Sequence, residues 1–270
     1  MQYLRGWTAL RNDPDWVGKV GWGCLLLLTG MCIPVIGQLV LRGWLAIALR
    51  RAVSGQDSPL PRLEWDTDYL GKLIGPGFKG LIAQMLWSAP IVACVLCCYF
   101  CMGFGWFGVV GAAGVGGAAG EEAGALIGGG LALVLYIVVM LLMFAVVVVS
   151  SMFLTVAVTR AEIADDLNAA MRFGEVVQMT KMLAKELLLG MLVMSLVNFV
   201  VVFFGLITLY LGLFPGIVIF AVIGTYYRAE LYRVYLEKGG QPLPVGPLGV
   251  EGSDPPRVGQ QQYYQPPQQF

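Results

Sequence analysis

Apolar residues fall in long, nearly charge-free runs along this chain, and the polar residues gather between them. A helix needs about 20 apolar residues to cross the hydrocarbon core of a bilayer, with a usable range of roughly 17–25. Four regions meet that length. The first, VGKVGWGCLLLLTGMCIPVIGQLVLRGWLAIALRRAV (17–53), is too long for one ordinary span, and Pro34 and Gly37 interrupt it. It reads as a hairpin of two helices, about 18–33 and 36–52. The second region runs from Phe78 to about Met102, and the third, 131–158, carries no charge at all. The fourth, 185–236, is again double-length and is broken near Gly205–Pro215. The pattern predicts an all-α fold, an integral membrane helical bundle of about six transmembrane segments.

Three other stretches complete the chain. EWDTDYLGKLIGPGF (64–78) and AEIADDLNAAMRFGEVVQMTKMLAKE (161–186) mix acids, bases and periodic apolar residues, which predicts two amphipathic helices lying in the interface plane. Between the second and third spans, VGGAAGEEAGALIGGG (115–130) sets Glu121 and Glu122 among glycines. A carboxylate at the bilayer centre costs a few kcal/mol, so residues 103–130 are expected outside the membrane or at its outer interface. They read as a small-residue loop or as a helical ridge. The ridge would be Gly108, Ala112, Gly116, Gly120, Gly124 and Gly128, small residues at every fourth position where another backbone could approach. From Gly239 onward the chain is rich in Pro, Gly and Gln and is expected to be a disordered tail. The domain reading is a cytoplasmic segment 1–16, a helical membrane domain 17–238 and a tail 239–270.

Composition agrees. Of 270 residues 58% are hydrophobic and 13% charged, against roughly 45–50% and about 25% in a soluble chain; the mean hydropathy is +0.75. Zero net charge gives no reason to expect a nucleic-acid partner. The absence of histidine removes His-ligated metals and haem and the commonest general base near neutral pH. The polar residues before CLLLL, with no small-x-small cleavage site after it, lead us to expect the first apolar segment to stay in the mature protein.

Charge sets the expected topology. With both termini cytoplasmic, the outer loops are about 33–37, 103–130 and 206–215, and none of the 17 Lys and Arg falls in them. That is the positive-inside distribution, and it predicts a multi-pass protein of the cell (inner) membrane.

An internal echo joins the two hairpins. PVIGQLVLRGWLAIALRR and PGIVIFAVIGTYYRAELYR pair Pro34 and Gly43 with Pro215 and Gly224, and each is followed by a Pro-Leu-Pro, in GQDSPLP (55–61) and GQPLP (240–244). These four residues are candidate hairpin breaks. The echo fits a pseudo-symmetric fold of the kind transporters use, and equally the ordinary punctuation of a membrane bundle.

The landmarks DPDWVGKVGWG, LRGW with its trailing RR, GQDSPLP with EWD, GFKG, NAAMRFGEVV and IGTYYRAELYRVYL also carry a resemblance. Over about residues 10–238 the chain resembles the prokaryotic membrane-protein family known as domain of unknown function 4013. The resemblance implies a membrane architecture and a bacterial or archaeal source, and no established activity.

Candidate chemistry is sparse. Cys94, Cys97, Cys98 and Cys101 share one helical face. A single helix cannot wrap four ligands around one ion, so they read as soft packing residues. GFGWFG (103–108) matches a GxGxxG pattern but lacks the βαβ surroundings of a nucleotide site. Arg42, Gln84 and Asn198 are the polar candidates inside the spans; Arg42 either pairs there or snorkels to the interface. Acids and bases at 50–72 and 162–181 could bind a divalent metal but read as a solvated charged face. No catalytic, cofactor or metal site is therefore expected. The expected function is a non-enzymatic accessory or scaffold subunit, with the lipid bilayer and other membrane subunits or a second copy as partners. A small transporter or channel is the alternative, and a membrane-embedded enzyme stands third.

Overall fold

The computed structural model describes residues 3–32, 35–56, 59–115, 121–208 and 212–249, with the backbone alone at 31–32, 101–133 and 135. Among the described residues the chain is all-helical, in the order α1 (Arg5–Arg11), α2 (Trp16–Cys32), α3 (Ile36–Val53), α4 (Thr67–Val115), α5 (Glu121–Ala164), α6 (Leu167–Met171), α7 (Phe173–Met182), α8 (Ala184–Ile207) and α9 (Leu213–Glu237). Helices stand at all six places where the apolar runs predict them. Among the described residues, three stretches of helix are long and apolar enough to cross a membrane: Thr67–Phe100, Tyr136–Ala164 and Ala184–Ile207. The count of six spans goes beyond that.

The chain divides into two compact units. The first comprises residues 1–78, 196–230 and 245–270. Its centre is α3, largely buried from Gly37 to Ala52 around Trp44 and Leu49. A helix apolar on nearly all sides must be enclosed, and glycines let its neighbours close in. A Cβ on Gly37 would overlap the Leu26 carbonyl oxygen of α2. One on Gly43 would overlap the Leu73 carbonyl oxygen of α4, and one on Gly77 would overlap that of Leu39. Helix α1 lies on α9 in the same way, with Gly6 against Ile223 and Tyr226.

This packing corrects several expectations. Gly43 breaks nothing: α3 runs unbroken through it, and Gly224 is likewise inside α9. Pro215 stands in the first turn of α9, where a proline costs the helix no hydrogen bond; Pro34 lies outside the described residues. The actual break between α8 and α9 is closed by Thr208, whose Oγ1 accepts from Gly212 N at 3.0 Å. The separate amphipathic helix expected at 64–78 does not form. From Thr67 onward those residues are the first turns of α4, continuing through Pro76, because the packing of Gly77 on α3 outweighs the local cost of the proline.

The second unit comprises residues 79–195 and 231–244. The stretch 161–186 is divided here among the end of α5, the short α6, α7 and the start of α8. The segment 103–130 is not simply a loop: α4 is helical through Val115 and α5 begins at Glu121. At 1.5 Å per residue, the 49 residues of α4 extend about 70 Å, roughly twice the hydrocarbon core. The glycine-rich ends of α4 and α5 therefore have length to spare beyond a bilayer. Gly108 and Ala112 lie in α4, Gly124 and Gly128 in α5, and Gly116 and Gly120 outside the described residues.

Of the expected tail, residues 239–249 are described and 250–270 lie outside the described residues. Helices α3 and α9 end alike: Gly55 and Gly239 take φ of +81° and +82°. Gln56 N donates to Arg51 O at 2.8 Å, and Gly240 N donates to Tyr235 O at 2.9 Å. Each is a left-handed glycine cap that reverses the chain. A Pro-Leu-Pro segment outside any helix follows both.

Candidate functional site

Polar side chains concentrate in each unit around backbone that would otherwise lack partners. In the first unit, Asp13 is 1% exposed. Its Oδ2 accepts from Lys19 Nζ and from Leu60 N, both at 2.7 Å, and its Oδ1 accepts from Asp15 N at 2.9 Å. Lys19 Nζ also donates to Leu60 O at 2.9 Å, and Trp44 Nε1 donates to Pro61 O at 3.0 Å. The Pro-Leu-Pro after α3 is thus fastened by residues from α2, α3 and the segment before α2. Arg5 pairs with the buried Glu230, tying α1 to α9. On the exposed stretch just beyond Pro61, Arg62 holds the Glu64 carboxyl below the usual carboxylate range through a direct hydrogen bond.

Arg50 and Arg51, at the end of α3, are 1% and 8% exposed. Arg50 Nη1 donates to Pro247 O at 3.2 Å, and Arg51 Nε donates to Leu248 O at 2.9 Å. A chain ending after Pro244 is expected to lose about 1–2 kcal/mol, less than two full charge-assisted hydrogen bonds, because both arginines have further interactions. A chain ending after Gly249, which keeps both carbonyls, is the reference. Thermal unfolding followed by tryptophan fluorescence separates the two truncations, and equal midpoints would show that these bonds contribute nothing.

In the second unit the site is the reversal from α5 into α6. Asp165 stands at φ +52°, a left-handed conformation that Asp tolerates better than most side chains. Lys79 holds it, donating from Nζ to its carbonyl oxygen at 2.8 Å and pairing with Oδ2 at 3.0 Å. Asp166 caps α6 by accepting from Asn168 N at 3.0 Å. The last carbonyls of α6 are taken by Arg160 Nε, at 3.0 Å from Ala169 O, and by Trp87 Nε1, at 3.1 Å from Ala170 O. Arg160 is 1% exposed and also pairs with Glu175. Phe173 lies against Trp87 with ring centroids 4.9 Å apart. In the same unit Tyr232 and Tyr235 accept from Leu243 N and Gln241 N at 2.7 and 3.2 Å, while Lys238 reaches Met182 O and Glu186.

The charged clusters at 50–72 and 162–181 are therefore not simply a solvated face: Arg50, Arg51 and Glu162 are buried. Asp57 lies outside the described residues. Among the described residues no three Asp, Glu or Cys side chains are placed to hold a metal ion. Arg42 and Gln84 are half-buried, and each has a partner. Asn198 is exposed on α8. Sequence reading does not single out Asp13, Lys19, Arg160 or Trp87, because each acts on backbone away from its own stretch of chain. For Asp13 and Lys19, and for the partners of Arg160 and Trp87, the signal lies in the landmarks. Asp13 and Lys19 belong to DPDWVGK, Trp44 to LRGW, Lys79 to GFKG, and Ala169 with Ala170 to NAAM. Those landmarks hold the fasteners of loops.

A family model described as "Protein of unknown function (DUF4013)" matches residues 26–211. No curated protein and no solved structure matches the chain.

Proposed function

We propose that this chain, which belongs to the DUF4013 family of proteins of unknown function, is a non-enzymatic accessory or scaffold subunit of a membrane complex. One observation carries the reading. In the apolar windows of the three longest candidate spans, only 6%, 6% and 11% of the residues are buried within the chain. Rows of large side chains, including Phe100, Phe144 and Phe199, stand outward instead. Helices in lipid associate through close packing and shared hydrogen bonds, since lipid tails are as apolar as leucine. Spans that pack so little on their own chain leave their faces to lipid and to other subunits. The polar groups, meanwhile, are occupied in holding loops.

A transporter or channel reading would need polar groups converging within the spans, and the exposure of Asn198 on α8 lends it no support. The proposed setting is the cell membrane, crossed several times, with both termini in the cytoplasm. The test is gentle purification of the tagged chain from its own membrane, with mass spectrometry of what remains bound. A membrane protein retained in fixed stoichiometry is the expected result. Recovery as a monomer or as a homo-oligomer alone would overturn the subunit reading.

A further inference from the structure

Cys94 and Cys98 stand one turn apart on α4, and Met143 reaches them from α5. Its Sδ lies 3.5 Å from Cys94 Sγ and 3.0 Å from Cys98 Sγ. The cysteine face of α4, on a single helix, could not surround an ion. A thioether from a second helix supplies the missing direction. All three side chains are half-buried, while Cys97, one position before Cys98, is exposed.

We propose that Cys94, Cys98 and Met143 form a three-sulfur site for a soft monovalent cation of the Cu(I) class. Thiolate and thioether ligands select Cu(I) over harder divalent ions. Structural zinc sites take four ligands, usually including nitrogen or further thiolates, and no such set surrounds these sulfurs among the described residues. Charge balance suits an apolar setting. If Cu(I) binds as one thiol gives up its proton, then one cation, one thiolate, one thiol and one thioether make a neutral site, avoiding the cost of a buried net charge. The competing use of these atoms is packing alone, for which Met and Cys sulfurs are well suited.

The full-length protein, purified in detergent and kept reduced under argon, is titrated with Cu(I) against bathocuproine disulfonate. The expected result is one tightly held equivalent per chain. Affinity should fall at least tenfold in Cys98→Ser and in Met143→Leu, and stay unchanged in Cys97→Ser. Met143→Leu preserves volume, so the fold is retained, and X-ray absorption of the loaded protein should then count two sulfurs instead of three. Failure to retain Cu(I), or binding that Met143→Leu leaves equally tight with the same sulfur count, overturns the site and leaves packing as the role of these residues.

Discussion

Asp13→Ala is expected to destabilise the protein by about 3–5 kcal/mol, the range for removing one partner of a buried ion pair. The carboxylate is 1% exposed and Lys19 is 7% exposed. Alanine at 13 would leave the Lys19 ammonium in that environment with the Leu60 carbonyl oxygen as its partner. It would also strip Leu60 N of its acceptor, and an unsatisfied buried donor costs about 1–3 kcal/mol. Pairing Asp13→Ala with Lys19→Met separates these contributions. Losing both charges should recover part of the stability, because a buried pair replaced by apolar groups is often close to neutral. The Leu60 amide stays unpaired in the double variant, so recovery should be incomplete. Asp15 is exposed and stands where α2 begins, its carboxylate beside Gly18, so Asp15→Ala should cost only about 1 kcal/mol, the usual loss for a helix cap. Thermal and denaturant unfolding in detergent reads all four proteins. A loss below about 1 kcal/mol for Asp13→Ala would show that this network does not anchor the segment after α3.

The same network shows where sequence reading stops. The apolar runs locate α2, α3, α8 and α9 closely, because hydropathy is local and each helix is a continuous stretch. Asp13 and Leu60 are 47 residues apart, and no local period reports that one side chain will serve the other's amide. The first residues after α9 show the same limit. A segment rich in Pro, Gly and Gln cannot bury enough apolar surface to order itself, yet the backbone of residues 241–248 bonds to hydroxyls and guanidinium groups of α3 and α9. Cys94 and Cys98 are legible as a face, while the neighbour on that face, Met143, is not. Gly43 reads as a break because its local propensity opposes helix; tertiary packing reverses that.

That reversal leads to the second large effect, at the crossing of α3 and α4. Gly43 and Gly77 meet reciprocally. A Cβ on Gly43 would overlap the Leu73 oxygen and stand 2.8 Å from its carbonyl carbon, and one on Gly77 would do the same to Leu39, again at 2.8 Å from the carbon. Because the obstacle is backbone on both sides, no rotamer change relieves it, and the helices must separate. Gly43→Ala and Gly77→Ala are each expected to cost about 3 kcal/mol or more, at the upper end for overpacking, despite the roughly 1 kcal/mol that alanine normally contributes to a helix. The double variant should cost less than the sum, since one separation makes room for both methyl groups. Gly71 supplies the contrast on α4: it is exposed and nothing lies within 4 Å of its would-be Cβ. Gly71→Ala should therefore stabilise by up to about 1 kcal/mol. Fluorescence-detected size-exclusion after graded heating ranks the variants. If Gly43→Ala and Gly71→Ala shifted stability alike, α3 and α4 would not cross backbone to backbone, and Gly43 would return to being a residue of low helix propensity. Opposite signs at Gly71 and Gly77, the expected outcome, would make the placement of a single methyl group the difference between tightening α4 and prising it from the buried α3.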